Sequence, residues 1–208
     1  MAARIVFSRV DLYLDPGLQT QLQAARVVVY ANHPGFWDPL MLALLTERLW
    51  PDHAVISPID EAGLRTHRYF HGLGFFAIDP ASVSGLRKFA QIASAAWEAP
   101  LSNCLVVLPE GRFSPPGPLR LRRGLARALS AHQGPPPVVV PVAISYRMGE
   151  NPRPVAALAV GQPLSQTTGS LPFLHQGLEE GLLATLGNLE DCLRDDRPST
   201  SLVVSPCR

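Results

Sequence analysis

Cysteine is scarce in this chain of 208 residues. Cys104, Cys192 and Cys207 are an odd, scattered set without a CxxC pair, which excludes a disulfide framework and a zinc cluster. Cys104 stands inside an apolar run and reads as a buried small hydrophobe. Long apolar runs are also lacking. No stretch reaches the roughly 18 consecutive apolar residues of a membrane-spanning helix, and Asp11 interrupts MAARIVFSRVDLYLD too early for a signal-peptide core. A cytoplasmic chain with peripheral membrane contact at most is expected. Lysine is nearly missing, with Lys88 alone against seventeen arginines, and the formal net charge is only +1. That balance gives no argument for nucleic acid, and none is expected as a partner.

What is present is apolar material: 47% hydrophobic residues against 17% charged. This is enough for a sizeable core and excludes a disordered chain. The length suits one domain. Short apolar runs alternate with longer amphipathic stretches, the pattern of an α/β fold. Strands are predicted at 26–31, 54–57, 75–78, 104–108, 138–145 and 155–160, with Pro141 marking a bulge or a strand edge. Helices are predicted at 38–49, 82–98, 121–132 and 174–194, the first capped by Asp38 and the second opened by Ser82 or Ser84. The expected architecture is a single α/β domain over 27–197, a mostly parallel or mixed sheet flanked by helices on both faces. Residues 1–26 read as a lead-in segment and 198–208 as a loose tail.

Two segments carry candidate chemistry. In Tyr30-Ala31-Asn32-His33-Pro34-Gly35-Phe36-Trp37-Asp38-Pro39 a strand ends, a Pro-Gly loop follows and a helix begins. The carboxylate of Asp38 can return to one nitrogen of His33, fixing its tautomer and leaving the other nitrogen to take a proton. Taken alone, the pair also fits a capping aspartate beside a half-buried histidine. In Leu108-Pro109-Glu110-Gly111-Arg112-Phe113-Ser114 a buried strand runs into a loop that holds a carboxylate, a glycine and an arginine. This fits an anion-clamping loop, and equally a surface Glu–Arg pair beside a turn.

In order, Asn32-His33 through Asp38, then Pro109-Glu110-Gly111, then Val139-Val140-Pro141-Val142-Ala143 resemble motifs of the glycerolipid acyltransferase family, which contains the bacterial 1-acyl-glycerol-3-phosphate acyltransferases. The resemblance implies that family's fold and acyl transfer from acyl-CoA or acyl carrier protein to the hydroxyl of a lysophospholipid or related lipid. It implies His33 as general base, Asp38 as the residue that orients it, and no cofactor or metal. Asn32, Glu110, Gly111 and Arg112 would bind substrate. Backbone N–H groups of Gly35 and Phe36 are candidates for the developing oxyanion. No GxSxG elbow is present and Cys104 lies within a strand, in keeping with direct transfer without an acyl-enzyme. A lipid-binding homologue without turnover and an acyl-thioester hydrolase are the alternatives.

Two departures stand out. Pro80 occupies the place of an arginine that the family directs at the acceptor's phosphate, and Arg112-Phe113 replaces the order Thr-Arg. Both leave the acceptor's headgroup open. Arg120, Arg122 and Arg123 join Arg112 and Arg127 in a basic cluster. It fits a solvated helix face, a dock for an acidic carrier protein or the phosphates of CoA, or a contact for anionic lipid. Trp50 beside Pro51 is the candidate interfacial aromatic. His67 and His71, four residues apart, lack an evident third metal ligand and read as surface or supporting histidines.

Overall fold

Eight strands form one mixed sheet in the computed structural model, which describes residues 6–66, 72–113, 118–148 and 152–202. The strands are β1 (Arg9–Tyr13), β2 (Arg26–Ala31), β3 (Ala54–Asp60), β4 (Phe75–Ile78), β5 (Asn103–Val107), β6 (Val138–Arg147), β7 (Val155–Val160) and β8 (Thr200–Ser201). Their spatial order is β4-β3-β5-β2-β6-β7-β1-β8. The first five in that order run parallel, and β7 turns back antiparallel to β6. The helices are α1 (Asp38–Leu49), α2 (Glu61–Thr66), α3 (Val83–Glu98), α4 (Gly124–Ala131) and α5 (Leu171–Arg194). The fold is thus a single α/β domain, as the alternation of runs implies.

Strand β2 shows how the sequence builds two cores at once. Side chains alternate across a sheet. Val27, Val29 and Ala31 face one side and pack with Met41, Leu42 and Leu45 of α1. Val28 and Tyr30 face the other and pack with residues of α3, α4 and α5. All five are fully buried, so this valine-rich apolar run is buried on both faces. Tyr30 also explains a glycine within α5. Its hydroxyl donates to the carbonyl of Leu178 at 3.1 Å. A Cβ at Gly181 would lie 2.8 Å from that hydroxyl oxygen, so a glycine admits the tyrosine.

Four expectations change. Segment 1–26 is more than a lead-in: β1 pairs in parallel with β7, and Phe7, Val10, Leu12, Leu18 and Leu22 are buried in the core with α1. Within the expected loose tail, Thr200 and Ser201 pair antiparallel with β1. These long-range pairings leave no local turn signal in the sequence. Pro141 marks neither an edge nor a bulge, for β6 lies between β2 and β7 and keeps continuous register with β2 through Pro141. Its carbonyl accepts from Gly161 N–H just beyond β7, so its missing N–H faces the end of the β6–β7 ladder and leaves the β2 pairing whole. The helix expected over 121–132 is shorter and begins at Gly124.

Removing residues 1–26 strips β1 and, among the described residues, six buried hydrophobic side chains (Phe7, Val10, Leu12, Tyr13, Leu18 and Leu22) from the core. At about 1.5–3 kcal/mol for each, the loss is comparable with the whole stability of an ordinary domain. The truncated chain is expected to show no cooperative thermal transition by circular dichroism. A wild-type melting curve would return the segment to a lead-in.

Candidate functional site

Strands β5, β2 and β6 are parallel neighbours, so their C-terminal ends meet at one edge of the sheet, where open α/β folds place their sites. Each end contributes a side chain to one constellation. After β2 the chain passes through Asn32 and His33 and turns into α1. Nδ1 of His33 lies 2.6 Å from Oδ2 of Asp38. The same oxygen accepts the N–H of Gly35 at 3.0 Å, and the hydroxyl of Tyr146, from the end of β6, donates to Oδ1 at 2.5 Å. Asp38 is 0% exposed. A carboxylate with fixed donors on both oxygens is an acceptor, so the proton of the contact belongs to Nδ1.

The imidazole is reachable where its partner is not, with the side chain of His33 15% exposed. Nε2 has no hydrogen-bond partner among the described residues. The ring of Phe113 lies 4.6 Å from that of His33, centroid to centroid. Glu110, buried beyond the end of β5, accepts the backbone N–H of His33 at 2.8 Å. The two sequence segments therefore meet through Glu110 and the backbone of His33. Gly111 follows with φ +67°, a conformation that L side chains rarely adopt. A Cβ there would approach Nε of Arg122 to 2.8 Å.

Several residues depart from their expected places. Both polar atoms of the Asn32 side chain are taken up by backbone: its Nδ2 donates to the carbonyl of Ile144 at 2.9 Å and its Oδ1 accepts from Ile144 N–H at 2.7 Å. The side chain extends the β2–β6 ladder by one rung. Gly35 is not placed to meet an oxyanion, because its N–H is directed at Asp38. Asp38 does not cap α1 either. It is the first helical residue and turns back toward the loop, and α1 has no side-chain cap. Phe36 is 56% exposed and packs edge-on against Trp37. Arg112, Arg120, Arg122 and Arg123 are all exposed. Arg120, Arg122 and Arg123 belong to the loop before α4 instead of a helix face, and Arg122 reaches toward the carbonyl of Pro80 at 3.5 Å.

Trp50 is buried, with its indole N–H donating to Leu22 at 2.8 Å, and is no interfacial anchor. Phe76 and Ile78 of β4 pack on the face of the sheet opposite α1. Cys104 is fully buried, and burial pushes its thiol up to about 12. His67 and His71 lie outside the described residues. Among the described residues no group of three His, Cys, Asp or Glu side chains is placed to hold a metal, and no helix is long and apolar enough to cross a membrane.

Sequence reasoning missed Tyr146, which stands 108 residues from its partner Asp38. The only signal for it was a polar aromatic at the end of a strand that neighbours β2. No protein-family model, curated protein or solved structure matches this chain.

Two outcomes check this geometry. Asn32→Ala leaves a buried N–H and carbonyl without partners and is expected to cost about 1–3 kcal/mol in denaturant unfolding. Unchanged stability would return Asn32 to the substrate side. Cys104 is expected to resist iodoacetamide in the native protein and to react once urea unfolds it. Labelling of the folded chain at the rate of a free thiol would contradict its burial.

Proposed function

We propose that this chain is an O-acyltransferase of the glycerolipid acyltransferase type. It moves a fatty acyl chain from acyl-CoA or acyl carrier protein to the hydroxyl of a lysophospholipid or related lipid, working peripherally at a membrane surface. One observation carries the reading: the His33 ring is held at Nδ1 by a buried carboxylate while Nε2 remains without a partner among the described residues. The order of the motifs around His33, Asp38 and Glu110 supports it.

Nε2 takes the proton of the acceptor hydroxyl as the oxygen attacks the thioester carbonyl. Asp38 stabilises the imidazolium so formed and keeps the ring in one orientation. Collapse of the tetrahedral intermediate breaks the carbon–sulfur bond, and the thiolate takes the proton from Nε2. The products are the ester and the free thiol, and the histidine is regenerated. The buried thiol of Cys104 offers no competing nucleophile. The exposed ring of Phe113 beside His33, and the exposed ring of Phe36 on the loop that follows His33, suit an apolar chain. The exposed Arg112, Arg120, Arg122 and Arg123 suit the phosphates of CoA, an acidic carrier or an anionic headgroup.

Thiol release from palmitoyl-CoA and from palmitoyl-acyl carrier protein, measured against a panel of lysophospholipids and glycolipids, tests the reading. Acceptor-dependent release is expected. His33→Ala should lower it by about 10²–10⁴-fold, the usual contribution of a general base, and Asp38→Asn should also lower it severely. Wild-type turnover in His33→Ala would overturn the assignment. Release independent of any acceptor would make the protein a hydrolase, and lipid binding without release a binding protein.

A further inference from the structure

The interaction that sequence reasoning missed reaches furthest. Tyr146 contacts nothing that reacts, yet it holds the group that holds the base. Its hydroxyl binds Oδ1 of Asp38, leaving Oδ2 to His33 and Gly35. A carboxylate can rotate about its Cβ–Cγ bond, and donors on both oxygens oppose that rotation. The tyrosine is itself held. Its ring stacks on Phe7, with centroids 5.6 Å apart and planes at 23°. On another side it lies under the loop, where a Cβ on Gly35 would be 3.3 Å from Cε2. Phe7 in turn meets Trp37, the residue before Asp38, edge-on at 6.0 Å. Burial first, then the negative charge of Asp38, hold the Tyr146 phenol well above its ordinary range, so it remains a donor.

We infer that Tyr146 is a positioning residue for the proposed base: through Asp38 it fixes the plane of the carboxylate, and thereby the orientation in which His33 presents Nε2. This rests on the reading of His33 as general base, but its test needs no substrate. It also gives the stacked Phe7 a task at the site beyond filling the core. The residue types agree with the role. Phenylalanine at 146 would keep the stacking and the packing under Gly35 and lose only the donor.

The experiment follows the Nδ1 proton of His33 by nuclear magnetic resonance and measures its exchange with water in the full chain. In Tyr146→Phe the exchange is expected to quicken about tenfold or more, the equivalent of one lost hydrogen bond to a charged group. In a chain with 3-fluorotyrosine at 146, a more acidic phenol donates more strongly and exchange is expected to slow. That second arm keeps the native shape and stands even where Tyr146→Phe fails to fold. Exchange within twofold of wild type in either folded arm overturns the inference. In thiol release from palmitoyl-CoA, Tyr146→Phe should lower kcat about tenfold and leave KM within twofold. It should add nothing in an Asp38→Asn background, because its effect passes through that carboxylate. Full additivity of the two substitutions, or a change in KM alone, also overturns it. Failure of the base reading has a different signature, wild-type turnover in His33→Ala.

Discussion

The organisation of the molecule turns on one buried carboxylate. Asp38 is wholly enclosed. An ionised carboxylate taken out of water without partners is strongly destabilising, and a buried one persists only when donors surround it. The donors come from the loop after β2, through His33 and Gly35, and from the end of β6, through Tyr146. The chain cannot bury Asp38 until α1 has begun, the Pro-Gly loop has folded back and β6 has docked beside β2. Fold and site are therefore one requirement. The arrangement that satisfies the carboxylate is also the one that leaves an imidazole nitrogen at the surface.

A second layer fixes the backbone around that arrangement. Asn32 clamps both backbone groups of Ile144 and sets how far β6 runs past β2, which places Tyr146 two residues further on. Glu110 holds the N–H of His33 from the loop after β5. Asn32 and Oε1 of Glu110 thus serve the backbone, and the register of three parallel strands is what they preserve. The positive φ of Gly111 belongs to the same loop, and it brings Arg122 close to the turn that carries Glu110.

Much of this was legible because it is local. The pairing of His33 with Asp38 spans five residues, so the loop and the helix start can be read together. The alternation in β2 predicts a strand buried on both faces, and Ser82 opens α3 by accepting the N–H of Gly85, as its position suggests. What was not legible is register across distance. Nothing near Tyr146 announces Asp38. Nothing near Arg9 announces β7, and the polar tail conceals Thr200 and Ser201. Pro141 misled because its neighbours, not its own residue type, determine which side of the strand lacks a hydrogen bond. Gly35 misled for the opposite reason: an N–H at a helix start is open to a ligand only when no side chain has taken it, and the adjacent carboxylate has.

The most direct measurement is the tautomer of His33, read from the nitrogen chemical shifts of ¹⁵N-labelled imidazole at a pH where the ring is neutral. The dyad requires the proton on Nδ1, shared with Asp38, and a lone pair on Nε2. A neutral ring protonated at Nε2 would leave no base facing the acceptor and would contradict the account at its root.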